Sequence, residues 1–326
     1  MAVRDRRAVA LWLLACAAIV AAIVVVGGIT RLTRSGLSIV EWQPLAGALP
    51  PLSEMDWQAL FDKYRQTPEF SKVNFDMTLE GFKRIFWWEY VHRLLGRLAG
   101  LVFLLPFLYF LIRKKLDGLL ALKLGGIFLL GALQGALGWY MVTSGLVDDP
   151  RVSQFRLTAH LGLALLILSF QVWMALDLLF ERLRPAKIAI PVLVFLMAMS
   201  GGMVAGIRAG YAYNTFPLMN GHLMPPEILA LEPWWTNFGY NMATVQFVHR
   251  CFFWLLLLVV PLAAWKVKFS NPGKILLVMF VLQAGIGIAT LLDKAPIALA
   301  ATHQAGAVLL LLAALWFAHT SGRTSQ

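Results

Sequence analysis

The chain has 326 residues, 60% of them apolar and only 14% charged, with a formal net charge of +11 and a mean hydropathy of +0.72. Such a composition excludes an ordinary soluble globular domain. The placement of the positive charge argues against nucleic acid as the partner: basic clusters sit in short links between apolar runs, and about as many basic residues lie in long loops or at helix mouths.

Crossing about 30 Å of hydrocarbon takes roughly 20 apolar residues. Eight segments qualify, near 8–28, 86–112, 119–142, 156–179, 188–207, 244–265, 275–292 and 298–318, so the fold class is all-α and polytopic. The first follows Arg4, Arg6 and Arg7, and its apolar run exceeds the ~7–15 residues of a signal-peptide core. It is therefore expected to stay as a membrane helix. No Arg- and Ser-rich presequence precedes it, which points to a bacterial plasma membrane rather than an organelle. A long loop, 29–85, comes next, with Trp42, Pro50, Pro51 and Trp57. The second span opens Trp88-Glu89-Tyr90-Val91-His92-Arg93 and ends at Arg113, Lys114 and Lys115. The third carries Gln134, Gly135 and Gly138; the fourth carries His160 and is followed by Arg182, Arg184 and Lys187. After the fifth span a second long loop, 208–243, contains Trp234 and Trp235. The sixth opens Val245-Gln246-Phe247-Val248-His249-Arg250 and is followed by Lys266, Lys268 and Lys274; the seventh carries Gln283, Gly285 and Gly287, and the eighth His303.

With eight spans the short basic links share one side, which the positive-inside rule makes cytoplasmic. Both termini are then inside and both long loops outside. Their tryptophans are expected in the interfacial belt, with a lid over a ligand opening as the alternative. Cys16 and Cys251 sit in apolar segments as small buried hydrophobes and build neither a disulfide framework nor a metal site.

The halves repeat. Residues 27–36 resemble 201–210, Val91-His92-Arg93 matches Val248-His249-Arg250, Gln134 and its glycines correspond to Gln283 and its glycines, and His160 corresponds to His303. Four spans repeated in the same order make a parallel repeat about an axis along the membrane normal. The expected domains are 1–180 and 181–326, as two pseudo-symmetric four-helix bundles.

An ionisable side chain inside a membrane marks function by default. His92, His160, His249 and His303 all fall within about two turns of the outer ends of alternate spans. Each half thus offers two imidazoles at similar depth, which suits bis-histidine ligation of a heme between helices. Zinc is the rival metal, but no third ligand or HExxH pattern accompanies the pairs. Core histidines bonded to backbone are the bland alternative. His222 and His319 lack repeat partners and are expected at the surface. Arg93, Arg97, Arg250, Arg34 and Arg208 gather at the same level, where they either meet anionic propionates or snorkel to the interface. Gly96, one turn past His92, would let a porphyrin plane approach. Glu89 aligns with Gln246, each on its histidine's face. A glutamate there can hold or release a proton and glutamine cannot. An ion pair to Arg93 is the alternative role, and the two are compatible.

The run Glu89-Tyr90-Val91-His92-Arg93-Leu94-Leu95-Gly96-Arg97, the segment 27–38 and the repeated histidines resemble the heme A synthase family, over nearly the whole chain. The long first loop is similar to the proteobacterial and mitochondrial branch, without the outer-loop cysteine pair of other branches. The resemblance implies two four-helix halves and oxidation of a methyl group of heme O to the formyl group of heme A. It implies that His92 and His160 flank substrate heme O, that His249 and His303 ligate a resident heme b, and that Glu89 holds the family's essential glutamate position. It further implies a homo-oligomer in contact with heme O synthase, membrane lipid as surroundings, and an unidentified electron acceptor. The rival readings are a diheme b-type cytochrome that only passes electrons and a heme transporter or chaperone. The cytochrome gives no reason for the Glu89/Gln246 asymmetry, and the transporter needs alternate access and would not require a low-spin heme in the second half.

Overall fold

A computed structural model describes residues 3–43, 46–180 and 188–321, so the link at 181–187, with Arg182, Arg184 and Lys187, lies outside the described residues. Within them the chain is helical, with an isolated bridge between Met219 and His222 and no sheet. The helices are α1 (Val3–Leu32), α2 (Glu54–Arg65), α3 (Pro68–Lys72), α4 (Leu79–Ile112), α5 (Gly118–Thr143), α6 (Gln154–Leu179), α7 (Ala189–Gly206), α8 (Asn237–Tyr240), α9 (Met242–Lys266), α10 (Asn271–Leu292) and α11 (Ile297–Thr320). Among the described residues eight of these, all but α2, α3 and α8, are long and apolar enough to cross a membrane. The chain is a multi-pass membrane protein. Two compact units are present: Ala15–Ile167, and Val3–Leu14 with Leu168–Gln326, so the division runs through α1 and α6.

In the first unit, part of the long loop is itself helical. Ser53 and Asp56 form a capping box that starts α2, the Asp56 N–H donating to Ser53 Oγ at 3.1 Å and the Ser53 N–H to Asp56 Oδ2 at 3.0 Å. Thr67 caps α3, with Pro68 in its first turn, and Thr78 caps α4. Trp57, Phe61 and Tyr64 of α2 bury against Phe82, Phe86 and Tyr90 at the start of α4, with Trp57 edge-on to Phe86 at 4.9 Å. Trp57 is thus a core residue and not an interfacial anchor, because α2 supplies the apolar face that the loop was not expected to have. Trp42, Trp234 and Trp235 are exposed. Burial pushes the Tyr64 phenol up to about 12, so it stays protonated and accepts from Asn74 Nδ2 at 2.7 Å. Trp57→Ala should loosen this cluster by about 3–5 kcal/mol. Limited proteolysis should then cut within 54–72, and resistance equal to that of the parent would contradict the packing.

In the second unit α7 packs on α9 and α11, and α10 packs on the same two helices. Asn241 caps α9, accepting from the Ala243 N–H at 2.8 Å, and the buried Asn237 amide bridges Leu231 and Trp234 beside it. His222 is exposed, as expected. His319 is not: it is fully buried in the last turn of α11, with Nε2 3.0 Å from Asp177 Oδ1 and its ring edge-on to Trp173. A carboxylate on α6, 142 residues away in sequence, makes that burial tolerable.

Candidate functional site

Each unit holds one pair of the repeated histidines: His92 of α4 and His160 of α6 in the first, His249 of α9 and His303 of α11 in the second. All four rings are seated on glycines of a neighbouring helix. A methyl group on Gly27 of α1 would stand 2.8 Å from His92 Nε2, and one on Gly138 of α5 would stand 2.8 Å from His160 Cε1. In the second unit the distances are 3.3 Å from Gly201 of α7 to His249 Cε1 and 2.6 Å from Gly287 of α10 to His303 Cε1. The repeat had marked these glycines only as alignment points. Their function, close approach of an imidazole to a helix backbone, needs the partner helix to be visible.

Hydrogen bonds hold the same positions. Gln134, one turn before Gly138, donates to the His160 carbonyl at 2.9 Å, and Gln283, one turn before Gly287, donates to the His303 carbonyl at 2.9 Å. Gln134 Nε2 also lies 3.4 Å from His160 Nε2. His249 Nδ1 lies 2.8 Å from Ser200 Oγ.

Glu89 is 2% exposed, and both its oxygens are engaged. Oε2 accepts from Ser38 Oγ and the Ile39 N–H, each at 2.8 Å; Oε1 accepts from Arg93 Nη2 at 2.7 Å and Nε at 3.1 Å. Arg93 continues to the carbonyls of Ile39 at 2.7 Å and Glu41 at 2.9 Å, and Arg97 donates to the Gln43 carbonyl at 2.7 Å. Gln246 occupies the matching place with opposite polarity: its Nε2 donates to the carbonyls of Ala209 and Ala212 at 2.8 and 2.6 Å, while its Oε1 accepts from Arg250 at 2.9 Å. Arg250 also reaches the carbonyls of Tyr213, Thr215, Pro217 and Leu218. So Arg93, Arg97 and Arg250 tie the loops after α1 and α7 to their helices. Arg34 and Arg208 are exposed and occupy equivalent left-handed turns, at φ +54° and +58°, directly after α1 and α7.

These residues fit a heme. Among the described residues no three of His, Cys, Asp and Glu gather as a metal site, and a heme, which brings four nitrogens of its own, would need only the two imidazoles that each pair supplies. His160 Nδ1 and His303 Nδ1 are buried without a protein hydrogen-bond partner, so those rings have a nitrogen still to be satisfied. Arg250 Nε is another buried donor without a partner, suited to an anionic group. A methyl group on Gly96 or Gly100, below His92 on α4, would meet nothing within 4 Å, which leaves a flat molecule room to approach.

Comparison with known proteins bears on the same point. The family model described as COX15-CtaA, cytochrome oxidase assembly protein, matches residues 10–315. The protein named heme A synthase in Nitrosospira multiformis is 57% identical, covering 96% of this chain and 93% of its own length. That of Nitrosomonas eutropha is 54% identical, covering 94% and 92%. That of Parvibaculum lavamentivorans is 48% identical, covering 97% and 94%. The chain therefore belongs to the COX15-CtaA family of cytochrome oxidase assembly proteins, the family of the heme A synthases.

Proposed function

We propose that this protein is an oxidoreductase that converts a methyl group of heme O to the formyl group of heme A. The observation that carries it is near-full-length similarity to proteins of that name, at about half identity or better. Two successive two-electron oxidations each replace a C–H on the methyl carbon by a C–OH, taking up one water and releasing two protons and two electrons. The resulting gem-diol loses water and leaves the aldehyde. The electrons pass to an acceptor outside this chain.

In this reading His92 and His160 hold the iron of substrate heme O, whose long apolar tail suits a site open to lipid. His249 and His303 hold a resident heme b, which supplies a one-electron redox centre when bound. The glycine seats and the unpartnered Nδ1 atoms of His160 and His303 support the assignment. Glu89, with four donors on its two oxygens, acts as a fixed negative charge beside the reacting carbon, where it stabilises cationic character, rather than as a proton acceptor. Arg250 Nε and the exposed Arg34 and Arg208 are the propionate contacts; Arg93 and Arg97 shape the loop above the first pair. The ring of contacts among α7, α9, α10 and α11 supports a four-helix bundle in the second half, and the sequence repeat supports a pseudo-symmetric counterpart in the first. Both termini face the cytoplasm and both heme sites lie near the outer face of a bacterial inner membrane, following the basic links. The assembly is a homo-oligomer that receives heme O from its synthase.

Extracting pigment from the purified full-length protein tests this. Heme B accompanied by heme O and heme A is the expected result. Heme B alone would replace the synthase with an electron-transferring cytochrome, and absence of all three would remove the heme sites altogether.

A further inference from the structure

One contact of the second histidine pair has no counterpart in the first. Ser200 Oγ donates to the Met197 carbonyl at 2.7 Å in its own helix and lies 2.8 Å from His249 Nδ1. A hydroxyl has one proton, and a carbonyl can only accept it. With that proton directed at the carbonyl, the Ser200 lone pair faces His249, whose Nδ1 then carries the hydrogen and has the Met197 carbonyl beside it as well, leaving Nε2 the bare nitrogen. That is the tautomer a metal requires, and a hydrogen bond from the far nitrogen raises the basicity of the ligating one. Ser200 is buried, so water does not compete for the bond.

The first half lacks this device. Gly27-Gly28 match Gly201-Gly202, which puts Val26 where Ser200 stands. Valine has nothing to offer an imidazole. Among the described residues no hydrogen bond reaches the His92 ring, and His92 Nε2 lies against Gly27 instead, where a methyl group would stand 2.8 Å away.

We propose that Ser200 is a positioning residue that locks His249 as a permanent iron ligand, while Val26 leaves His92 free to turn on and off the iron, so that one pair retains its heme and the other exchanges substrate for product. The inference rests on the assignment of a resident heme to His249 and His303 made above. It gives a physical reason for one fold repeated twice to hold one heme and turn over another: an enzyme whose substrate is a heme must release that heme after each cycle, and the same ligand strength in both halves would trap the product.

The test uses the full-length protein in detergent with its pigments bound, and follows transfer of each heme to excess apomyoglobin. In Ser200→Ala, heme B should leave about tenfold faster, the lower end of what outer-shell partners of metal ligands contribute. Its midpoint potential should rise, because the lost hydrogen bond had favoured the ferric state. Ser200→Thr keeps a hydroxyl and should restore both properties. Val26→Ser should slow release of heme O and heme A from the first pair. Parental release and potential in Ser200→Ala would overturn the proposal while leaving the heme assignment intact. If the parent's heme B is unaffected by His249→Ala, the assignment itself fails and the proposal falls with it.

Discussion

Glu89→Gln is expected to lower heme A formation by about 10²–10³-fold, the usual effect of removing one preorganised electrostatic group, while both units keep their pigment. The substitution keeps the shape and changes only charge and polarity. Glu89 sits among four donors, two from the loop at Ser38 and Ile39 and two from Arg93. An amide can satisfy some of them through its oxygen, but its NH₂ group must then face a donor. The buried ion pair with Arg93 is lost as well, and breaking such a pair by changing one partner costs up to about 3–5 kcal/mol when both groups are buried; the 18% exposure of the Arg93 side chain reduces that figure. The reciprocal change, Gln246→Glu, sets a carboxylate against the carbonyls of Ala209 and Ala212 and should lower the thermal midpoint without touching the reacting pair. Chromatography of extracted hemes and a thermal melt read both variants. Parental heme A output from Glu89→Gln would reduce Glu89 to a loop clamp, and loss of output together with new protease cutting near 38–43 would assign it to positioning.

The polarity match around these two residues shows what a sequence can and cannot tell. That position 89 is Glu and 246 is Gln was visible from the repeat, and so was the expectation that they differ in role. What each one touches was not. The loops at 38–39 and at 209–212 present donors in one half and carbonyls in the other, a difference of backbone orientation that no side-chain pattern records. The arginines illustrate the same limit. Their clustering near the histidines was legible, but Arg93 divides its bonds between Glu89 and two loop carbonyls, and Arg250 spends most of its bonds on loop carbonyls tens of residues away in sequence. The eight spans were readable because apolar length is a local property. The loop helices α2 and α3 carry local start signals, Ser53 with Asp56 and Thr67 before Pro68, but the prolines and tryptophans around them read as irregular chain. His319 was misjudged for the opposite reason. Nothing beside it in sequence hints at Asp177.

The glycine seats allow a graded expectation in which helix propensity and heme binding pull in opposite directions. Alanine in place of glycine within a helix ordinarily stabilises it by about 0.5–1 kcal/mol. At Gly287 the added methyl group would lie 2.6 Å from His303 Cε1, closer than any carbon pair tolerates, and the ring is the part that can move. Gly287→Ala should therefore keep or raise the helical melting temperature and yet lose the low-spin heme spectrum of the second pair. At Gly138 and Gly27 the gaps are 2.8 Å to His160 and His92, so both alanine variants should displace the first pair and stop turnover. At Gly201 the distance is 3.3 Å, which a few tenths of an ångström of give can absorb, and Gly201→Ala should keep most of its heme. Gly96→Ala meets nothing in the protein itself, so any loss of heme O binding there would come from contact with the porphyrin and not from a displaced histidine. Optical spectra of the reduced proteins, paired with heme extraction, separate these cases. Equal heme retention in the Gly287 and Gly201 variants would mean that imidazole seating does not control ligation, whereas loss in the order of the distances would tie the repeated glycines to the iron.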